Sequence, residues 1–572
     1  MTTKQFQFDS DPLNSALAAT AEASGLAYLP KSKVIYYPLT NDKVTLISGG
    51  GAGHEPAQTG FVGPGLLDAA VSGQIFASPS TKQIIAGVNA VKSQRGSIII
   101  VMNYTGDVIH FGMAAEQLRS RYDYHAELVS IGDDISVNKK AGRRGLAGTV
   151  LVHKIAGHLA RDGWDVGVLA EALRTTAANL ATVAASLEHC TVPGRKFETE
   201  LAADEMEIGM GIHNEPGVKT IKIGKVESLL DELVDKFEPS KQDFVPFNKG
   251  DEVVLLVNSL GGVSSLELHA IANIAQTKFE KVLGVKTVRL IVGNFMAAFN
   301  GPGFSLTLLN VTTTAKKGNF DVLGALDAPV STAAWPSLQQ KDKPANGGVQ
   351  EEKETDSDKP AEPTGIKADG KLFKAMIESA VDDLKKEEPQ ITKYDTIAGD
   401  GDCGETLLAG GDGILDAIKN KKIDLDDAAG VADISHIVEN SMGGTSGGLY
   451  SIFFSGLVVG IKETKAKELS VDVFAKACET ALETLSKYTQ ARVGDRTLMD
   501  ALVPFVETLS KTKDFAKAVE AARKGADETS KLPANFGRAS YVNEEGLENI
   551  PDPGALGLAV IFEGLLKAWE KK

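Results

Sequence analysis

Short apolar runs rich in Val, Ile and Leu recur through the N-terminal part of the chain: KVTLISGG, GSIIIVMNY, HAELVSIGDD, DEVVLLVNSL and TVRLIVGNF. Their near-continuous hydrophobicity, bounded by Gly, Asn and Asp, predicts buried strands. Between them KQIIAGVNAVKSQ, AEQLRSR and GTVLVHKIAGHLARDG carry a helical period. Strands alternating with helices predict α/β layers around a largely parallel sheet. Residues 164–206, which contain EALRTTAANLATVAASLE, read as helical and separate two α/β lobes.

The pattern breaks at 337–370, SLQQKDKPANGGVQEEKETDSDKPAEPTGIKADG, which has almost no large apolar residues. Such a stretch buries too little surface to order itself and predicts a flexible linker. Beyond it the periodicity is helical throughout, in KLFKAMIESAVDDLKKEE, DVFAKACETALETLSKYT, FAKAVEAARKGADETSK and ALGLAVIFEGLLKAWEKK. The organisation expected is therefore an α/β domain over 1–336, a linker over 337–370 and an all-α domain over 371–572.

The length, 572 residues, predicts three or four folding units at roughly 100–200 residues each. A net charge of −16 and a pI near 5.2 argue against a nucleic-acid binder, while leaving room for a local basic site. Cys190, Cys403 and Cys478 are far apart and odd in number, so no disulfide framework or zinc site is visible. No apolar run reaches about 18 residues, so no membrane span or membrane partner is expected. The N-terminal MTTKQFQFDSDPLN lacks a signal-peptide core and the C-terminal WEKK is not a peroxisomal signal, so the expected location is cytoplasmic.

Candidate chemistry concentrates in loops. YDTIAGDGDCGE (394–405) places Asp395, Asp400 and Asp402 within eight residues. Carboxylates so close repel unless a cation sits among them. A calcium EF-hand fails on spacing, because the residue needed as Glu is Gly411 or Thr406. Mg²⁺ suits the loop better, since it leaves positions for water and phosphate; the bland alternative is an acidic surface turn. SMGGTSGGLYS (441–451) exposes backbone N–H groups at a helix start, which suits phosphate, or else makes a tight helix contact. VGDRTLMDAL, FGRASYV and IPDPGALGLAV each lead towards a helix, and Arg496 and Arg538 are of the type that pairs with phosphate. DPG is equally a plain helix cap. Neither a Walker A pattern nor a protein-kinase glycine loop is present.

In the α/β part, SGGGAGHEPAQTGFVG (48–63) follows a strand and only partly matches a dinucleotide fingerprint, Pro56 standing at its last glycine. His54 looks into that loop. NYTGDVIHF puts Asp107 at a strand's carboxyl end, where α/β folds place ligands. GMGIHNEPG sets His213 among turn residues, and neutral imidazole is a usable nucleophile as well as a base. The remaining histidines have no comparable context.

Taken together, SGGGAGHEP, NYTGD, GRRGLAGTVLVHKIAG, GMGIHNEPG, AGDGDCG, SMGGTSGGLYS, FGRASY and DPGA resemble the single-chain, ATP-dependent dihydroxyacetone kinases, and most of all the fungal ones. The resemblance implies a substrate-binding domain of two α/β lobes and a nucleotide-binding barrel of antiparallel helices. It implies that His213 binds the ketone as a hemiaminal, Asp107 accepts the proton of the attacking hydroxyl, and His54 bonds the substrate, with Gly51, Ala52 and Gly53 lining the pocket. Asp395, Asp400 and Asp402 would hold Mg²⁺ on ATP. Gly401, Cys403, Gly443, Gly444, Thr445, Ser446, Thr489, Thr497, Leu498, Arg538, Asp552, Pro553 and Gly554 would complete the ATP site with Asp400 and Asp402. The family also implies a homodimer in which each helical domain serves the partner chain. Met102 departs from it: a Lys usually precedes NYTGD, and its loss matters only if that side chain touches substrate. RTLMD is a milder departure.

The activity implied is phosphorylation of dihydroxyacetone, with glyceraldehyde as a second acceptor, in glycerol catabolism or dihydroxyacetone detoxification. Three alternatives stand beside it: an FAD-AMP lyase forming cyclic FMN, a non-catalytic dihydroxyacetone-binding regulator, and a form fed by a phosphotransferase protein. The intact acidic loop speaks against the regulator. Fusion of both domains favours exchangeable ATP over the phosphotransferase.

Overall fold

The computed structural model describes residues 12–38, 42–137, 142–192, 201–336, 361–536, 538–541, 547 and 549–571. They fall into two compact units, Met1–Gly347 and Gly348–Lys572.

The first lobe of the N-terminal unit is a sheet of β1 (Ala27–Leu29), β2 (Val34–Tyr36), β3 (Thr45–Ala52), β4 (Ala69–Ile75), β5 (Ser97–Met102) and β6 (Ala126–Ile131), in the order β1-β2-β4-β3-β5-β6. β4, β3, β5 and β6 are parallel; β1 and β2 add an antiparallel edge. Every residue of β5, SIIIVM, is buried, as a parallel strand covered on both faces requires. Helices α1 (Pro12–Ser24), α2 (Thr81–Ala90) and α3 (Thr105–Tyr122) belong to this lobe.

The second lobe departs from the expected parallel sheet. β7 (Leu180–Ser186), β8 (Glu205–Ile208), β9 (Lys219–Lys222), β10 (Glu252–Ser259), β11 (Lys286–Gly293) and β12 (Gly303–Asn310) lie in the order β11-β10-β12-β7-β8-β9. Only β10 and β11 pair in parallel. The β11–β12 and β8–β9 connections carry no crossover helix, so those segments return antiparallel. β7 also corrects the helical reading of 164–206. Among the described residues only α5 (Val166–Ala178) is helical there, while LATVAAS is a strand buried at every position. A short Ala-rich apolar run has no period that separates buried strand from buried helix.

Helix α4 (Thr149–Arg161) is buried without a break from Thr149 to Gly157, within one core that joins Leu46 and Ile98 of the first sheet to Val254, Leu256 and Leu309 of the second. Its Lys154 ammonium donates to the Ala325 carbonyl at 2.6 Å. The lobes are also tied where the Asp133 carboxylate accepts from the Thr182 hydroxyl (2.5 Å). α6 (Val226–Asp235), α7 (Ser265–Leu283), α8 (Val311–Gly318) and α9 (Val322–Asp327) complete this unit.

The second unit is α10 (Gly370–Ala398), α11 (Cys403–Lys419), α12 (Gly430–Ser441), α13 (Gly444–Glu463), α14 (Val471–Leu485), α15 (Met499–Thr512), α16 (Phe515–Glu528) and α17 (Pro553–Trp569). Each helix packs on its neighbours in sequence, and α17 closes on α10, making a ring. The ring encloses an apolar cavity of about 240 Å³ lined by residues including Phe453, Phe474, Phe505 and Phe562. α10 and α17 meet closely at Gly564, where a Cβ would stand 2.4 Å from Ala380 Cα. Gly564→Ala is therefore expected to push these helices apart and destabilise the unit by about 1–3 kcal/mol, read as a lower unfolding midpoint.

Two expectations change here. Of the stretch read as a linker, 337–360 lies outside the described residues. Residues 361–369, however, are bound to this unit: Thr364 donates its N–H (2.9 Å) and hydroxyl (2.6 Å) to Asp427, and Ile366 is buried in the helical core. Thr and Ile supply the anchors that the polar composition hid. Second, α13 is long and apolar enough to cross a membrane. It lies against α12 and α14, and its Leu449, Phe453 and Leu457 line the cavity.

Candidate active site

The two lobes of the α/β unit meet at a histidine pair. β3 delivers Gly49–Ala52 and then Gly53–His54 at the carboxyl end of the parallel strands. Gly51 lies against backbone, since a Cβ there would be 2.7 Å from Ala77 N, and Gly53 has φ +98° with the Phe76 ring where a Cβ would go. Gly53 carbonyl accepts from Phe299 N–H (2.7 Å), tying the loop to the second lobe. His54 Nδ1 donates to the Ala297 carbonyl at 2.9 Å. Its Nε2 faces His213 Nε2 at 3.0 Å. Phe76 stacks on His54, while His213 meets Tyr104 and Phe76 edge-on at centroid distances of 4.5 and 5.3 Å. Burial, with the His213 charge adding to it, pushes the His54 pKa down to about 3.

Asp107 sits in the first turn of α3, directly after β5. It is 4% exposed, and its Oδ1 is buried with no hydrogen-bond partner. Burial raises its pKa; the Ser78 hydrogen bond and the charge of His213 pull the other way. Met102 stands beside it: the Cβ position of Gly50 is 3.9 Å from Met102 Cε and 3.8 Å from Asp107 Oδ2. His213, Asp107, His54, Gly51, Ala52, Gly53 and Met102 are all brought to this one place.

The second constellation lies in the helical unit. Asp395 is not in a loop, as its sequence context suggested, but in the last turn of α10. The helix runs through Pro389, beyond the stretch KLFKAMIESAVDDLKKEE in which the helical period is read. Asp395 Oδ2 accepts from the N–H groups of Gly401 (3.0 Å), Asp402 (2.9 Å) and Cys403 (3.0 Å), folding the acidic turn around itself. Ligand atoms of Asp395, Asp400 and Asp402 lie within 4.8 Å of one another. Asp552 caps α17 by accepting from Ala555 N–H (2.8 Å). Enclosure, with Asp500 and Asp395 near, pushes its pKa up to about 7 against the pull of Arg496. Burial and these carboxylates likewise raise the Cys403 thiol. The donor set is all oxygen and rich in negative charge, which fits a hard divalent cation.

Around it, Gly443 and Gly444 start α13 with no side-chain cap, and Gly443, Gly444 and Thr445 are exposed, with Ser446 half-buried. A twenty-residue helix with an open N-terminus presents N–H groups to an anion. Pro553 and Gly554 open α17, and the Cβ position of Gly554 is 3.7 Å from Leu498 Cβ, joining the DPG turn to the loop before α15. Asp500 holds that loop by accepting from Gly494 (2.6 Å) and Thr497 (2.8 Å) N–H groups. Thr489 is engaged in its own turn, accepting from Ala491 N–H at 3.1 Å. Arg538 opens a 3-10 turn, Arg538–Tyr541; its side chain lies outside the described residues. Arg496 overturns its expected role. It is 3% exposed and donates to the carbonyls of Ile550 (2.6 Å), Leu532 (3.2 Å) and Leu547 (3.3 Å). It is an internal strut between loops, not a phosphate ligand.

Several residues at the histidine pair had not been singled out: Phe76, Ser78, Tyr104, Glu215 and Ala297. Tyr104 and Glu215 lie inside quoted motifs, NYTGD and GIHNEPG, so their position was available. Nothing in the sequence places Ala297, 243 residues from His54, against it.

The Dak1 domain family matches residues 17–334 and the DAK2 domain family residues 397–567. The chain is 44% identical over 593 residues to dihydroxyacetone kinase 2 of Saccharomyces cerevisiae, covering 99% of this chain and 100% of that one. It is 37% identical over 541 residues to the triokinase/FMN cyclase of Homo sapiens, covering 92% and 91%. The solved structure of the dihydroxyacetone kinase from C. freundii in complex with AMP-PNP and Mg²⁺ is 30% identical, with 99% of this chain and 100% of that one covered and a TM-score of 0.65.

Proposed function

The chain belongs to the dihydroxyacetone kinase family, and we propose that it transfers the γ-phosphoryl group of ATP to dihydroxyacetone, with glyceraldehyde as a second acceptor. The observation that carries this is the histidine pair beside Asp107: an imidazole Nε2 held 3.0 Å from a second ring, near a buried carboxylate with one oxygen unpartnered.

His213 adds through Nε2 to the ketone and holds it as a hemiaminal. The bond selects carbonyl compounds over glycerol and fixes the hydroxyl for in-line attack. Asp107 accepts the hydroxyl proton through Oδ1, and His54 bonds the oxygen at the former carbonyl. Met102 contributes shape and adds no charge beside Asp107. In the helical unit, Asp395, Asp400 and Asp402 hold Mg²⁺, while the start of α13 and the DPG turn receive phosphates. Mg²⁺ supplies neutralisation of charge on the transferring group. We carry the homodimer, each helical unit serving the partner chain, the cytoplasmic location and a role in glycerol use or dihydroxyacetone detoxification as part of the same proposal. They rest on the family resemblance.

ADP release with ATP and Mg²⁺ tests it: release with dihydroxyacetone or glyceraldehyde and not with glycerol supports it, and none with any acceptor overturns it. The human relative's name favours a second reading, FMN cyclase activity, tested by FAD turnover, which does not need His213.

Asp107 gives a pH prediction. Its proton must be off before it can accept another. Because its pKa is raised, turnover is expected to fall with acidity at a pH above the ordinary carboxylate value of about 4. The pH profile of kcat locates this limb, and Asp107→Asn should remove the limb together with about 10²–10⁴ of the rate.

A further inference from the structure

Glu215 has no part in the chemistry described so far, yet it is the most tightly placed carboxylate beside His213. The two residues lie in the loop between β8 and β9, and Asn214 between them has φ +63°. Asn214 is locked by exchanging two hydrogen bonds of 2.9 Å with the Cys190 backbone. This turn brings both the His213 main-chain N–H and the His213 ring onto one carboxylate. The N–H donates to Glu215 Oε2 at 2.9 Å, and Nδ1 lies 3.4 Å from Oε1. Behind Glu215, Arg144 is held by Asp134 (2.6 and 2.9 Å) and the Gly209 carbonyl (2.9 Å). A Cβ at Gly211 would meet both Glu215 Oε2 and Arg144 Nη1, at 2.1 and 2.7 Å, so only glycine leaves the two side by side.

These bonds fix the proton count. A carbonyl oxygen only accepts, so His54 carries its proton on Nδ1, towards Ala297. An ionised carboxylate only accepts, so His213 carries a proton on Nδ1, towards Glu215. Burial would raise Glu215, but its bonds to His213 hold it down at about 2. Two facing Nε2 atoms at 3.0 Å cannot both be bare or both protonated, so they share one proton.

The geometry points to Glu215 as the positioning residue that keeps the His213 proton on Nδ1, leaves Nε2 as the atom that bonds the carbonyl carbon, and serves as counter-ion of the resulting adduct. This rests on His213 being the nucleophile proposed above. The step balances without outside reagents. The Nε2 electron pair forms the C–N bond, the carbonyl π pair moves to oxygen, and that oxygen takes the shared proton. The ring keeps Nδ1–H and becomes a substituted imidazolium facing Glu215. The groups facing His213 are His54 from the β3 loop, Tyr104 and Asp107 from the start of α3, and Glu215 from its own loop, with Arg144 behind.

The test compares Glu215→Gln, nearly isosteric but uncharged, with Glu215→Asp, which keeps the charge. In the full chain, Glu215→Gln is expected to raise KM for dihydroxyacetone about ten- to a hundredfold, with KM for MgATP unchanged and much of the loss recovered in Glu215→Asp. In ¹⁵N-histidine NMR spectra, the His213 ring, assigned by its loss in His213→Ala, should show a protonated Nδ1 in the unsubstituted protein and lose that preference in Glu215→Gln. An unchanged KM and an unchanged ring spectrum in Glu215→Gln overturn the role of Glu215 alone, provided His213→Ala is inactive. Full activity in His213→Ala overturns the nucleophile itself.

Discussion

His213→Ala is expected to lower kcat/KM for dihydroxyacetone by about 10³-fold or more while leaving MgATP affinity unchanged. The size follows from what the ring does. Phosphoryl transfer offers the protein little covalent chemistry, so catalysis is positioning and charge. A small ketone has few groups to grip, and the proposed covalent bond from Nε2 would supply the orientation that hydrogen bonds to so small a molecule do not. Removing the ring also strips the partner from His54 Nε2 and the edge-on contacts of Phe76 and Tyr104. The loop should survive, because its main-chain bond to Glu215 and the Asn214–Cys190 pair do not involve the imidazole. ADP-release kinetics beside an unfolding curve check both statements. A variant that keeps its fold and its turnover would remove His213 from the mechanism.

Asp402→Asn is the second large expectation. Asp402 is exposed, and no hydrogen bond from its carboxylate supports the fold among the described residues. Its loss should leave stability unchanged, yet cost about 10²–10³ in kcat at fixed Mg²⁺, the range seen when one element of charge stabilisation is removed. Chelation of Mg²⁺ should abolish ADP release by the unsubstituted protein and leave dihydroxyacetone binding intact, because on this proposal the residues that would hold the ketone all belong to the α/β unit. Asp395→Asn should behave differently. Its Oδ2 gathers three N–H groups, so the turn itself should loosen, visible as faster amide exchange at 401–403. The contrast separates a residue that is only a ligand from one that is ligand and scaffold at once within one acidic cluster.

Much of the fold could be read before any coordinates. β3, β5, β6, β10 and β11 announce themselves as β-branched runs between turn residues, and the helices of the second unit by their period. What was misread has a common cause. LATVAAS and the end of α10 have a local pattern compatible with two states, and tertiary burial decides between them. At the histidine pair, residues that follow strands in an α/β layer could be picked out, because such folds place ligands there. Phe76, Ser78 and Ala297 could not, since they arrive from two further segments with no motif of their own. Arg496 shows the opposite failure. A residue type suited to phosphate was assigned to it, but its guanidinium is consumed by three carbonyls, and burial of that kind has no signature in sequence.

The most direct test is ¹³C NMR of dihydroxyacetone labelled at the carbonyl carbon, added to the full-length protein without nucleotide. The expected result is a new resonance of a tetrahedral carbon bearing nitrogen and oxygen, present with the unsubstituted chain and absent with His213→Ala. Observation of only free ketone and its hydrate, at protein concentrations that saturate the site, would contradict covalent capture by His213.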